Sequence, residues 1–470
     1  MDRTAPVMAR RSWHLVALML SLSHVATQAL VCEDGFHEVN GECLYACTSD
    51  LDLGTVTKIN DKGIALDDTT FQYCSDRIPR YWPNTKEPVK RLRIFKSWDV
   101  AWDASRREGA WEDIRKFVHA NKAKVLIGTQ VTCSEKNDTI DWQWSLGLMR
   151  LLGPDYIQGL AIGNEMELYQ FKGSQYGVTP ECIENIWGGG YYFDQVQKRV
   201  AEMDQYPGFD KIPVTSVFGG MALAAYPFYN YPCCALVFDY LKNVTAKYGK
   251  RYVFTWNFYP YFDQTLQLDP NTSHSCCESL DYCLSYGPDG ISAETIVKAR
   301  SRMQLVTNRT DDVMWLGEMG WSSATSDTLH SAMRNCTEFS TPDTMHSVYN
   351  GFLKWDMSVQ GVKAPELSFY FTMRDSANFG VKEHFGLIDS CEASHCKLST
   401  THGGEEWVCG KDDFLSETTT AAEWAPRQGD MVSVVALSVV LLSLTLVAVR
   451  FGLRRVRDEG GDAEGYAPLG

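Results

Sequence analysis

Seven short apolar or β-branched runs recur between longer amphipathic stretches: RLRIF (91–95), KVLIGTQ (124–130), IQGLAIGN (157–164), IPVTSVF (212–218), YVFTWN (252–257), VMWLGE (313–318) and LSFYF (367–371). The intervals hold helical material such as GAWEDIRKFVHANK and AETIVKARSRMQLV. Strands that alternate with helices build a parallel sheet. With one more strand near 63–67, eight such units can close on themselves. The expected fold is therefore α/β, a (β/α)8 TIM barrel over residues 56–415. An open doubly wound sheet satisfies the same alternation.

The flanks of that region carry different signals. Residues 1–29 combine Arg3, Arg10 and Arg11 with an apolar run from Leu15 to Leu22, the pattern of a cleavable secretory signal. Residues 30–55 are too few to bury a core and hold the stretch CEDGFHEVNGECLYAC, expected as a disulfide-stapled cap. Residues 416–430, rich in Thr, Ala and Glu, read as a stalk. Residues 431–449 contain no charge and are long enough to cross a bilayer core as a helix. Arg450, Arg454, Arg455 and Arg457 follow at once, which makes 450–470 the cytoplasmic tail. The expectation is a single-pass type I membrane protein with its bulk outside the cytoplasm.

The cysteines agree with that topology. All 15 fall between Cys32 and Cys409, where disulfides are the default. The adjacent pairs Cys233-Cys234 and Cys276-Cys277 lack the C-x2-C spacing of a zinc site. No metal or cofactor is expected. Five Asn-x-Ser/Thr sequons (Asn137, Asn243, Asn271, Asn308, Asn335) lie in the same region. A net charge of −15 argues against a nucleic-acid partner, because phosphate binding needs clustered Lys and Arg.

Two phrases place a carboxylate at the end of an apolar strand: GLAIGNE, ending in Asn164-Glu165, and VMWLGEMGW, with Glu318. A barrel strand delivers its C-terminal residues to the catalytic face. A charge directly after several apolar residues is costly to bury unless it is paired or used. From strands four and seven the two acids converge. Paired carboxylates are what glycoside cleavage needs: one to protonate the leaving oxygen, the other to attack the anomeric carbon or stabilise the cation-like centre. Asn164 could hydrogen-bond the sugar 2-hydroxyl.

These phrases, with three more, resemble glycoside hydrolase family 17, the β-1,3-glucanase and glucanosyltransferase family, within the clan of four/seven barrels. AIGNE resembles its acid/base motif, EMGWSS (318–323) its nucleophile motif, and WNFYPYF (256–262) its strand-six motif. ELSFYFTMRD followed by EHFGLID resembles its strand-eight region, and RLRIF its strand-two R-I-Y. The phrases stand in the family's order. The resemblance implies retaining chemistry on β-1,3-glucan, with Glu165 as acid/base and Glu318 as nucleophile. It also implies Tyr259 against the nucleophile, and Asn164, Phe262 and Trp321 lining the glucose-binding cleft.

Trp98, after the second strand, is a candidate to stack on a pyranose face, as is the run AYPFYNYP (225–232). The family's F-D-E after strand eight, and the Lys beyond it, are replaced by Met373-Arg374-Asp375-Ser376 and Phe379. Asp375 is taken as substrate-binding, and Arg374 as a source of the missing positive charge. A glucan hydrolase, a membrane-tethered glucanosyltransferase and a non-catalytic glucan receptor remain open here, as does a barrel acting on a β-1,4- or β-1,6-glucan or a mannan. The expected partner is a β-glucan or related polysaccharide.

Overall fold

A computed structural model describes residues 36–39, 42–45, 55–173, 177–224, 228, 236–262, 276–323, 341–376, 384–388, 390–391 and 397–398. The expected leader, stalk, apolar segment 431–449 and tail lie outside the described residues. Among the described residues no helix is long and apolar enough to cross a membrane. Of the expected cap, an antiparallel hairpin is described: β1 (Phe36–Val39) and β2 (Glu42–Tyr45), with Phe36 opposite Tyr45.

The remaining strands form a closed parallel barrel. They are β3 (Lys62–Ala65), β4 (Arg91–Ile94), β5 (Lys124–Thr129), β6 (Ile157–Asn164), β7 (Val214–Gly219), β8 (Tyr252–Asn257), β9 (Met314–Met319) and β10 (Leu367–Phe371). β10 closes the ring on β3, with Phe369 opposite Gly63. Closure rules out the open doubly wound sheet. Every residue of β7, β8, β9 and β10 is buried, as befits strands covered on one side by helices and on the other by the barrel interior.

Two strand boundaries depart from expectation for local reasons. The run 212–218 pairs only from Val214, because Pro213 has no N–H to give a ladder. The first barrel strand stops at Ala65, because Asp67 turns to cap the next helix, accepting from Thr70 N at 2.5 Å.

Helices follow the strands: α1 (Asp68–Tyr73), α2 (Arg107–Asn121), α3 (Glu135–Leu152), α4 (Tyr169–Lys172), α5 (Pro180–Trp187) and α6 (Tyr191–Met203). After these come α7 (Leu236–Tyr248), α8 (Cys276–Leu284), α9 (Ile291–Thr307) and α10 (Pro342–Lys354). Two disulfides are described. Cys74–Cys391 ties the end of α1 to the segment after β10, and Cys133–Cys182 ties the loop before α3 to α5. Both staple loops to the frame that carries the strand ends.

Polar side chains inside the barrel are few and paired. Thr215 on β7 hydrogen-bonds Thr255 on β8 at 2.7 Å, and both are buried. One long cation, Arg93 on β4, lies among them at 1% exposure.

Candidate active site

Glu165 leaves β6 through two left-handed residues. Gly163 has φ +75°, and a Cβ there would lie 2.5 Å from Tyr192 Oη, so this position requires glycine. Glu165 itself has φ 50° and ψ 40°, a conformation that costs a non-glycine residue about 1 kcal/mol or more. The neighbouring strand holds it there: Glu165 N donates to Val217 O at 2.8 Å. The strain is kept where the side chain is turned toward the strand ends.

Glu318 reaches the same region from β9, which pairs with β8 opposite Asn257. Three donors converge on its carboxylate. Arg93 Nη1 donates to Oε1 at 2.8 Å, Asn257 Nδ2 donates to Oε1 at 2.7 Å, and the Tyr259 hydroxyl donates to Oε2. An acceptor-only group suits three donors. Burial, and then the Glu318 charge, push the Tyr259 phenol well above its usual range, so it stays an O–H donor.

Asn257 connects the two acids. Its Oδ1 accepts from Arg93 Nη1 at 3.1 Å, which directs its amide nitrogen at the carboxylates. That nitrogen lies 3.0 Å from Glu165 Oε1 and 2.7 Å from Glu318 Oε1, so those oxygens stand less than about 6 Å apart. The environments differ. Glu318 is buried among its donors, whereas Glu165 and Asn164 are partly exposed. Asn164 Oδ1 accepts from Arg93 Nη2 at 2.7 Å, which leaves its amide NH2 as the end able to donate to a ligand hydroxyl. A partly open cleft lies beside it, bounded by Arg93, Phe95, Gln130, Thr132 and Tyr169 among others.

Glu165, Glu318, Asn164 and Tyr259 are thus brought together. The other candidates lie as follows. Trp321 is fully buried, edge-on to Tyr261 at 5.4 Å, and offers no ring face to a cleft. Trp98 is 1% exposed and packs edge-on against Trp102 and Phe71. Asp375 spends its carboxylate on Lys397, His384 and the Gly386 N–H. Arg374 turns away to Thr70 Oγ1, Ser390 O and Arg77 O, so it does not support Glu318. That support is Arg93. Phe262 ends the 310 turn Pro260–Phe262, and its side chain lies outside the described residues. Of the run 225–232 only Phe228 is described, and it is buried.

Arg93 and Asn257 were missed as site residues although both lie in quoted phrases, RLRIF and WNFYPYF. The signal was present: each is a polar side chain inside an otherwise apolar strand, which is expensive unless partnered. Tyr259→Phe removes one donor from Glu318 without changing shape. Turnover is expected to fall roughly 10- to 100-fold with little change in melting temperature. Initial rates and a thermal melt of the variant check this.

No family model matches the chain, and no curated protein matches it. Among solved structures it is similar to an endo-laminarinase from Formosa Hel1_33_131 at 16% identity, covering 64% of this chain and 74% of that one, with a TM-score of 0.43. A β-glucosidase from Exiguobacterium marinum matches at 12% identity over 65% of this chain and 80% of its own, TM-score 0.37. A family 1 β-glucosidase from Thermotoga maritima matches at 13% identity over 79% and 96%, TM-score 0.36. Likeness at this level says nothing of chemistry. The side chains must carry that.

Proposed function

We propose that this chain is a retaining glycosidase acting on β-1,3-glucan, with Glu318 as nucleophile and Glu165 as acid/base. The observation that carries the reading is the single amide nitrogen of Asn257 within hydrogen-bond reach of both carboxylates. Retaining enzymes hold their carboxyl groups about 5–5.5 Å apart, and inverting ones about 6.5–9.5 Å, to leave room for a water. A shared donor favours the shorter class.

The steps follow from the two environments. Glu165 gives its proton to the glycosidic oxygen as the bond to the anomeric carbon breaks, and a Glu318 carboxylate oxygen bonds that carbon. Glu165, now ionised, takes a proton from water or from an acceptor sugar, whose oxygen displaces Glu318. Arg93, Asn257 and Tyr259 aim Glu318 and offset its charge before and after attack. Asn164 donates to the 2-hydroxyl, a contact that strengthens as the ring becomes cation-like.

The β-1,3 linkage rests on the ordered phrases of the resemblance, the strand-six phrase above all. The same reading sets the barrel on the extracellular or lumenal side, tethered by residues 431–449. The test is the anomeric form of the first product from laminaripentaose, followed by proton NMR with the full-length protein. Retention gives the β-anomer first. An α-anomer first, or binding without any product, rejects the reading; the second result would mark a glucan receptor.

A further inference from the structure

Two residues beyond Glu165 the chain buries another carboxyl. Glu167 is 0% exposed. Its Oε1 accepts the Gly219 N–H at 2.6 Å, and its Oε2 has no hydrogen-bond partner among the described residues. Gly219 ends β7, with an ordinary φ of −71°, so its backbone does not require glycine. The room does. A Cβ at Gly219 would lie 2.9 Å from Glu165 Oε1 and 3.0 Å from Glu167 Oε1. Both carboxyl groups therefore flank one small space on the inner side of β7.

A carboxylate placed there meets two penalties. Burial comes first and the nearby Glu165 charge second, and together they push Glu167 well above the usual carboxyl range. The groups facing the pair come from several elements. Asn257 on β8 donates to Glu165, and Glu318 on β9 and Arg93 on β4 share that amide. Tyr259, after β8, feels the Glu165 charge. Tyr192 on α6 feels the Glu167 charge and donates its own hydroxyl to Ile162 O at 2.9 Å.

We propose that Glu165 and Glu167 titrate as one carboxyl pair, with Glu167 a positioning residue that sets the pH range over which Glu165 holds its proton. This rests on the reading of Glu165 as acid/base. Loss of a proton from either carboxyl makes loss from the other harder, so the pair's last proton persists to higher pH than on a lone acid. Gly219 is the small residue that lets the two groups come close enough for this.

Two full-length variants test it. Glu167→Gln keeps an acceptor for Gly219 N–H and removes the second ionisation. Its kcat/KM profile on laminaripentaose is expected to fall earlier on the alkaline side, the ratio of alkaline to acid activity dropping roughly tenfold. The Glu165 δ-carbon resonance of 13C-glutamate-labelled protein, assigned with Glu165→Gln, is expected to titrate at lower pH in this variant. Gly219→Ala, whose Cβ pushes on the mobile ends of both carboxyls, should also displace the profile, and it serves if Glu167→Gln does not fold. Coincident pH profiles and an unmoved Glu165 resonance, with melting retained, overturn the pairing. An inactive wild-type protein sinks the glycosidase reading instead, and the resonance still decides the pair.

Discussion

Glu318→Gln is expected to leave a folded protein that turns over β-1,3-oligosaccharides at least about 10,000-fold more slowly. An amide oxygen cannot form the glycosyl ester, so the first displacement loses its nucleophile outright. Folding survives because Gln fits the space and its oxygen can still accept from Arg93 and Asn257, while its NH2 can donate to Tyr259. The cost in stability should be about 1–3 kcal/mol, from one buried cation left without an anion. Glu165→Gln should behave differently. Its loss in the first displacement should be large for a sugar leaving group and small for dinitrophenol, which departs without a proton, while the second displacement lacks its base with either substrate. Burst and steady-state rates on laminaripentaose and on dinitrophenyl β-glucoside measure both. Equal losses of the glycosylation rate on the two substrates for Glu165→Gln would overturn its role as acid, and a Glu318→Gln rate within about a hundredfold of wild type would remove Glu318 as nucleophile.

The second large effect belongs to Arg93. Its guanidinium bridges Glu318, Asn257 and Asn164 from a site 1% exposed, and it lies over the Phe95 ring at 4.4 Å. Arg93→Met keeps much of the volume and leaves the Glu318 carboxylate without a cation. Removing one partner of a buried pair typically costs about 3–5 kcal/mol. Turnover should fall about 100- to 1,000-fold, because an aligned charge in a site closed to water is worth several times its value in solvent. Arg93→Lys should recover little, since an ammonium lacks the planar fork that reaches Glu318 and Asn164 at once. Calorimetry and kcat for both variants check this. Activity within about fivefold of wild type in Arg93→Met would show that Asn257 and Tyr259 orient the nucleophile without it.

The barrel was legible because its strands are covered on both sides. Such strands read as unbroken apolar runs, and 157–164, 252–257 and 367–371 coincide with β6, β8 and β10. Boundaries slipped where one residue's own chemistry intervened, as at Pro213 and Asp67. The two acids were legible for the same reason in reverse: each interrupts an apolar run at the end where barrel strands meet their ligands. The surroundings of Trp98, Trp321 and Asp375 were not legible, because proximity in sequence to a strand end does not say which way a side chain turns. Two of them turned into aromatic packing, and the third toward Lys397 and His384.

From the amino-acid order alone came the barrel strands, their direction and the two carboxylates they deliver, since these depend on local periodicity and on the cost of burying charge. Folding decided what each carboxylate touches. Arg93 and Glu318 are 225 residues apart in sequence, yet they form an ion pair at 2.8 Å. Glu167 lies two residues from Glu165 and differs from it by having no open side at all. Partners of that kind are set by barrel closure and by the space left at Gly219, and no local pattern carries information about either.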